Sequence, residues 1–158
     1  MEAKVLTVSD GVADGTREDK SGVALVEALQ AAGYVVVEHR VTRDGSDEVA
    51  HALRGLSERF AGLIVTTGGT GFGPRDLTPE GTRSVLDREA PGIVEAIRRA
   101  SDADGRGFGM LSRAVAGARD QALICNLPGS TSGALEGLAV LLPVAGHALE
   151  LLAGVRPH

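Results

Sequence analysis

The segment that offers the most chemistry is Gly68–Pro79, with the sequence GGTGFGPRDLTP. Its glycines leave backbone N–H groups unhindered, and a helix start after the segment adds a positive dipole end, so an anion cradle is possible. Arg75 supplies a guanidinium fork suited to phosphate. Asp76 would repel a phosphate, and a bridging Mg²⁺ would resolve that conflict. The alternative is a structural turn in which Asp76 pairs with Arg75 or caps the next helix.

This segment matches neither of the two familiar phosphate-binding motifs. A Walker A loop needs Lys and then Ser or Thr after its last Gly, whereas Gly73 is followed by Pro74 and Arg75. The spacing G-x-G-x-x-G is also absent, because Gly69, Gly71 and Gly73 follow one another at every second position. A phosphate site here must therefore use a different loop geometry.

Other candidate residues follow predicted strands. Asp44 comes after the second strand, and its spacing alone favours an ordinary turn residue. Asp10 follows the first strand and is also typical of a turn. Ser130, after Pro128-Gly129, favours a helix cap over an anion ligand. In a parallel sheet such loops meet at the carboxyl ends of the strands, and this convergence is more telling than any single loop.

Two further positions could bear chemistry. Ser112-Arg113 offers a hydroxyl and a guanidinium, although a surface pair is the simpler interpretation. Cys125 lies inside an apolar strand and is predicted to be a small core residue rather than a nucleophile.

The elements that must position these residues alternate along the chain. Short apolar runs predict strands at Lys4–Ser9, Tyr34–Arg40, Gly62–Thr67 and Ala122–Leu127. Amphipathic segments between them predict helices, and the alternation favours a mostly parallel sheet covered by helices on both faces.

Helix boundaries follow from capping residues. Gly33 is expected just past the end of the first long helix, and Ser46 is expected to cap the next. Thr78 is predicted to cap a helix that ends near Ala90. Pro91 opens another helix through Arg99, and Ser101–Gly109 reads as a loop. The C-terminal helical region is expected to break near Pro143.

Composition sets further bounds. The 158 residues fit one domain, 1–158. The net charge of −5, without a basic cluster, and the four aromatic residues argue against a nucleic-acid partner. A single cysteine and an N-terminus that runs straight into a strand favour a cytoplasmic location. The longest apolar run, Leu138–Ala145, is shorter than the roughly 20 residues of a membrane span, so no membrane partner is expected.

These segments resemble the molybdenum-cofactor biosynthesis family, which includes the molybdopterin adenylyltransferases and the related B protein of the same pathway. The resemblance covers nearly the whole chain. The motifs that carry it are Thr67–Glu80 (TGGTGFGPRDLTPE), Thr7–Asp10 (TVSD), Asp19–Gly22 (DKSG), Asp87–Gly92 (DREAPG), Leu111–Arg113 with Val115–Gly117, and Asn126–Ser130 (NLPGS).

The resemblance implies a three-layer α/β/α fold with a mostly parallel central sheet, of the molybdopterin-binding type, and a homotrimer. It implies adenylyl transfer from ATP, with Mg²⁺, to the phosphate of molybdopterin, giving adenylylated molybdopterin and pyrophosphate. Asp44 and Asp76 take the positions of the two essential acidic residues and of Mg²⁺ ligands. The implied substrate and nucleotide site contains Ser9, Asp10, Thr67, Gly68, Gly69, Thr70, Gly71, Arg75, Thr78, Ser112, Arg113, Pro128, Gly129 and Ser130.

The chain departs from the family pattern at a few positions. Gly11 stands where many members have Arg, and Thr131-Ser132 replaces a common Pro-Lys. These departures keep open a second hypothesis, a molybdopterin-binding or scaffold protein that works with other proteins of the pathway without catalysis. A third hypothesis is a nucleotide-cleaving relative on the same fold.

Overall fold

The computed structural model describes residues 1–103 and 105–155. Asp104 of the predicted loop and residues 156–158 of the predicted domain lie outside the described residues. The strands are β1 (Glu2–Val8), β2 (Val35–Thr42), β3 (Leu63–Thr67), β4 (Arg88–Glu89), β5 (Ala116–Arg119) and β6 (Ala122–Leu127). The helices are α1 (Asp10–Ala13), α2 (Lys20–Ala31), α3 (Ser46–Ser57), α4 (Thr78–Arg83), α5 (Pro91–Ser101) and α6 (Thr131–Leu152), with a short 3₁₀ helix at Phe108–Leu111.

The strands form one sheet in the order β2-β1-β3-β6-β5-β4. The pairs β1–β2, β1–β3 and β3–β6 are parallel, and β5 pairs antiparallel with both β6 and β4. Every residue of β3 and β6 is buried, as expected for central strands covered on both faces. The predicted, mostly parallel sheet is therefore confirmed.

Helices cover both faces of the sheet and bury a separate apolar core on each side. On one face α2, α5 and α6 pack over a core that includes Leu29, Val65 and Leu138. On the other face α3 packs over a core that includes Leu53 and Ile124. This is the three-layer α/β/α arrangement that the sequence predicted. Cys125 is fully buried in the first core, and burial raises the pKa of its thiol to about 12, so the prediction of an inert core cysteine is confirmed.

Two predicted helix caps are wrong by one residue. The N-cap of α3 is Gly45 and not Ser46, and the N-cap of α4 is Leu77 and not Thr78. The Thr78 hydroxyl is used elsewhere, because it donates to the carbonyl of Gly68 at 2.9 Å. Other local predictions are confirmed, since α5 opens at Pro91 and Gly33 follows α2 with a φ of +87°.

The helix predicted to end near Ala90 stops earlier. Helix α4 ends at Arg83, and the chain then joins the sheet as β4. The Asp87 N–H donates to the carbonyl of Ala118, and the Ala90 N–H donates to the carbonyl of Ala116. Pairing with β5 is a long-range contact, so local sequence signals could not predict this boundary.

The predicted break at Pro143 is also wrong, because α6 runs unbroken through this proline. Leu141 and Ala145, on either side, are fully buried in the core. Pro143 itself is exposed, so water can reach the carbonyl group that loses its helical partner. Packing thus holds a helix that the proline alone would interrupt.

Helix α6 is long and apolar enough, by length and composition alone, to cross a membrane. The apolar run Leu138–Ala145 did not indicate this, because small and polar residues divide the longer apolar stretch. In the structure one side of α6 packs on the sheet and on α2 and α5.

Candidate functional site

Four loops meet at the carboxyl ends of the parallel strands and enclose a cavity of about 760 Å³. They are the connections that follow β1, β2, β3 and β6. The predicted residues that line this cavity are Ser9, Asp44, Thr67, Gly68, Gly69, Asp76, Gly129 and Ser130. The convergence predicted from the sequence is therefore present in the fold.

The turn at Gly68 and Gly69 forms the floor of the cavity. Both residues have positive φ, +101° and +66°. A Cβ atom at Gly68 would lie 2.2 Å from the Val8 carbonyl oxygen, so the turn requires glycine here. Thr78 holds the turn from behind, because its N–H donates to the Gly69 carbonyl at 3.1 Å and its hydroxyl donates to the Gly68 carbonyl. The backbone at this point is fixed in advance of any ligand.

Asp44 and Asp10 bind each other's backbone. The Asp10 N–H donates to Oδ2 of Asp44 at 2.8 Å, and the Asp44 N–H donates to Oδ1 of Asp10 at 3.3 Å. Arg75 closes this arrangement, since its Nε donates to Oδ2 of Asp10 at 2.6 Å and its Nη2 donates to the Asp44 carbonyl at 2.7 Å. Arg75, which is predicted to bind phosphate, joins three loops in the structure.

These contacts shift the pKa values of the Asp44 and Asp10 carboxyl groups in opposite directions. Burial raises the pKa of Asp44, and the negative charges of Asp10 and Asp76 raise it further, against the Asp10 N–H and the Arg75 charge. The hydrogen bond from Arg75 lowers the pKa of Asp10. Of these two carboxyls, Asp44 is the one that a cation would stabilise more in its ionised form.

Asp76 faces the same cavity from the β3–α4 loop. Its Oδ2 accepts the Gly73 N–H at 2.8 Å. No protein hydrogen bond reaches its other oxygen or Oδ1 of Asp44 among the described residues. The described residues include no group of three or more metal-binding side chains. A Mg²⁺ held by Asp44 and Asp76 would therefore need oxygens from outside the protein, as Mg²⁺ bound with phosphates does.

A second cavity, of about 360 Å³, lies on the other side of the glycine turn. Ser130 lines both cavities, and Phe108 and Leu111 give the second one an apolar wall. The predicted residues that line it are Thr70, Gly71, Ser112, Pro128 and Ser130. Ser130 also caps α6, as predicted, because its hydroxyl oxygen accepts the Gly133 N–H at 3.2 Å.

Four of the predicted site residues, all in the described part of the chain, line neither cavity: Asp10, Arg75, Thr78 and Arg113. Arg113 is more than a surface residue, since its Nε donates to the Gly71 carbonyl at 2.8 Å and its guanidinium pairs with Glu80. These four residues hold the loops of the site through their hydrogen bonds, and their contacts with substrate stay a prediction.

The predicted site residues omit several side chains that line the larger cavity, which come from the end of the α1–α2 connection and the start of α2. Arg17, Lys20 and Ser21 line it, and Arg17 and Lys20 are its cationic side chains among the described residues. The polar run Thr16–Ser21 (TREDKS) was the signal that could have found them.

A polar cluster fixes the start of α2 at this cavity. Oδ1 of Asp19 accepts the Gly22 N–H at 2.9 Å, which caps the helix. Oδ2 of Asp19 accepts the Thr7 hydroxyl at 2.7 Å, and Nε2 of His39 lies 3.0 Å from that same oxygen. Nε2 of His39 also lies 3.0 Å from the Thr7 hydroxyl oxygen, which completes the cluster.

Comparison with known proteins places this geometry in a family. Residues 4–147 match the family described as "Probable molybdopterin binding domain". The chain is 35% identical to the molybdopterin adenylyltransferase of Helicobacter pylori (strain J99) over 153 residues, which are 95% of this chain and 86% of that protein. It is 39% identical to the molybdenum cofactor biosynthesis bifunctional protein of Chlorobaculum tepidum over 95% of its own length, and it spans about half, 48%, of that relative.

The fold agrees with a solved structure. The molybdopterin biosynthesis enzyme MoaB from Thermus thermophilus superposes with a TM-score of 0.89 at 42% sequence identity, covering 97% of this chain and 96% of that one. The predicted resemblance and fold are confirmed. The chain belongs to the molybdopterin-binding domain family of molybdenum cofactor biosynthesis.

Proposed function

We propose that this protein transfers the adenylyl group of ATP to the phosphate of molybdopterin. The observation that supports this most is the pair Asp44 and Asp76, which face one cavity beside a rigid glycine turn. Within the described residues, each of them keeps one carboxylate oxygen without a protein partner. The name of the Helicobacter pylori relative supports the same activity.

In the proposed reaction an oxygen of the pterin phosphate attacks the α-phosphorus of ATP. The bond between that phosphorus and the oxygen bridging to the β-phosphate breaks, and pyrophosphate leaves with that electron pair. The substrate supplies the nucleophile, so no side-chain nucleophile is required. Bound Mg²⁺, held by Asp44 and Asp76, would neutralise phosphate charge. The protein's own part is to position the two phosphates and to orient backbone N–H groups toward the developing charge.

The two cavities suit the two substrates. The larger one carries Arg17 and Lys20 together with the two carboxylates, which is the chemistry that a metal-bound triphosphate needs. The smaller one has the apolar wall of Phe108 and Leu111, which suits a flat ring system. Because Ser130 lines both, we propose that the phosphates of the two substrates meet at this residue.

The test measures pyrophosphate release from MgATP with intact molybdopterin. The wild-type chain is expected to turn over, and Asp76→Asn is expected to lose at least about 100-fold in rate, as for a preorganised electrostatic group. Asp47→Asn removes the same charge from an exposed residue of α3 and serves as the matched control, with unchanged rate. Equal rates for Asp76→Asn and the wild type would reject the assignment.

A molybdopterin-binding protein without catalysis is the second candidate. The observation that favours it is Gly11, against which the side chain of Arg17 packs, with 3.1 Å between a Cβ built at Gly11 and that of Arg17. A larger side chain at residue 11 would crowd Arg17, so this position itself offers no cation to a nucleotide phosphate. Titration calorimetry separates the candidates, because binding of molybdopterin without binding of MgATP would favour the second.

We also propose a cytoplasmic homotrimer, on the basis of family membership. In the single chain, edge strand β2 exposes Val35, Val37 and Val41, which is apolar surface that an assembly could cover. Native mass spectrometry is expected to give about three times the chain mass of 16.2 kDa. A mass of one chain at micromolar concentration would contradict the proposal.

A further inference from the structure

A third cavity, of about 540 Å³, lies at the opposite edge of the sheet from the candidate site. It is lined by the C-terminal part of α3, by the segment that leads to β3, by Arg40 of β2, and by the end of β5 with the β5–β6 turn. These connections precede the amino ends of β3 and β6, whereas the candidate site lies at their carboxyl ends. No substrate of the proposed reaction needs this cavity.

Four arginines line this cavity, although the net charge of the whole chain is −5. Its charged lining residues are Arg40, Arg54, Arg59 and Arg119, opposed by Glu58 and Asp120, and His51 adds an imidazole. Glu38, next to the cavity, binds both Arg40 and Lys4. The guanidinium groups therefore exceed the carboxylates of the lining by two charges.

Two of these arginines are held in position by the protein. Nε of Arg119 donates to the Ser57 hydroxyl at 2.9 Å, and its Nη1 donates to the Val85 carbonyl at 2.8 Å. Arg40 lies across Gly55, where a Cβ atom would come within 2.9 Å of Nη1. Both guanidiniums keep N–H groups for which the described part of the chain provides no acceptor, so they are oriented before any anion arrives.

The side chains of the other two arginines contact no partner group of the described residues. Among the described residues, Arg54 and Arg59 make no ion pair and no hydrogen bond through their side chains. Arg59 has a φ of +51° and Asp120 a φ of +49°, and these are the non-glycine residues with positive φ in the described part of the chain. Both positions line this cavity, Arg59 in the connection that follows α3 and Asp120 in the turn that joins β5 to β6.

We propose that this cavity is a second anion site, which binds a phosphorylated small molecule carrying about two negative charges. Forked guanidinium groups bind phosphate oxygens through paired hydrogen bonds, and the charge excess of the lining matches a doubly charged phosphate. The volume exceeds the needs of a bare ion and lies in the range of small-ligand sites, about 300–1,000 Å³. We expect the molecule to carry a further organic or phosphoryl part, for which the cavity leaves room.

Titration with inorganic pyrophosphate, followed by ¹H–¹⁵N NMR of the full chain, tests this site separately from the candidate active site. Amide signals of Gly55, Arg59 and Asp120 report on the arginine cavity, and the Gly69 amide reports on the other. We expect the first three to shift along one saturable curve. Phosphate alone is expected to shift them at higher concentration, because it makes fewer contacts.

The double variant Arg54→Gln/Arg59→Gln is expected to weaken this binding by at least about tenfold while the Gly69 response stays unchanged. Arg88→Gln/Arg99→Gln removes the same charge from two exposed residues elsewhere and should bind as the wild type does. Shifts confined to Gly69, or identical curves for the wild type and the Arg54/Arg59 variant, would overturn the proposal. Both results are independent of adenylyl transfer.

Discussion

At the scale of single residues, the ionised carboxyl of Asp44 reduces the stability of the folded protein, and its proposed role explains why it is present. It is a half-buried carboxyl with a raised pKa, and it faces two other carboxylates. Groups arranged for function in this way commonly reduce stability. Nothing in the local sequence Thr42-Arg43-Asp44 indicated this, because the partner Asp10 lies 34 residues away. Only the family resemblance singled Asp44 out.

Asp44→Asn should therefore stabilise the metal-free protein while removing activity. The amide oxygen can still accept the Asp10 N–H, and the unfavourable charge is gone. We expect a gain of up to about 1 kcal/mol at neutral pH, which corresponds to about 2–4 °C in Tm for a chain of this length. Thermal unfolding of the two proteins without Mg²⁺ measures the difference.

The pH dependence of that difference checks its cause. A carboxyl whose pKa is raised by folding destabilises the folded state when it is ionised, and the effect vanishes once it is protonated. The gain from Asp44→Asn should thus shrink as the pH falls from about 7.5 through the pKa of Asp44. A gain that stays constant down to about pH 4, or a loss at neutral pH, would contradict this origin.

At the scale of elements, Asn126 joins β6 to its neighbours in the buried core. Its Nδ2 donates to the Thr66 hydroxyl at 3.0 Å and to the Thr82 hydroxyl at 2.9 Å. Its Oδ1 accepts the Val115 N–H at 3.1 Å, and the residue is completely buried. These bonds fix α4 and the end of β6, which carry the loops of the candidate site.

Asn126→Ala is expected to lower the free energy of unfolding by about 2–4 kcal/mol, because it leaves a buried N–H and two hydroxyls without partners and opens a small cavity. Denaturant unfolding measures the change. Thr66→Val is the matched comparison, since it removes one of these bonds and fills the same space, and it should cost less. Equal costs for the two variants would contradict this account, because the bonds to Thr82 and Val115 would then contribute nothing.

Elements with strong local signals were predictable, and those set by distant contacts were not. The strand Ala122–Leu127 is predicted to the residue, and the start of α5 follows from Pro91. The end of α4 depends on pairing with β5, and the continuity of α6 through Pro143 depends on core packing. Among the predicted site residues, the glycines and the proposed metal-binding carboxylates line the two cavities, whereas the loop contacts of Arg75 and Arg113 join distant segments and could not be predicted from the local sequence.

At the scale of the whole molecule, the sheet separates two regions of different chemistry. Its carboxyl edge gathers Asp44, Asp76 and the rigid Gly68–Gly69 turn, and its opposite edge gathers the arginine cavity. An overall net charge of −5 hides this separation, because acidic residues elsewhere outweigh the arginines. The absence of a basic run in the sequence thus says nothing about a basic site assembled from α3, β2 and β5.

The identity of the product decides whether this chain is a transferase. Phosphorus NMR of wild-type protein incubated with molybdopterin and MgATP follows the α-phosphate of ATP and the pterin phosphate together. The proposed function predicts a new signal pair for a P–O–P linkage between them, growing in step with free pyrophosphate. A pterin that binds while both signals stay unchanged would contradict adenylyl transfer and leave a binding protein.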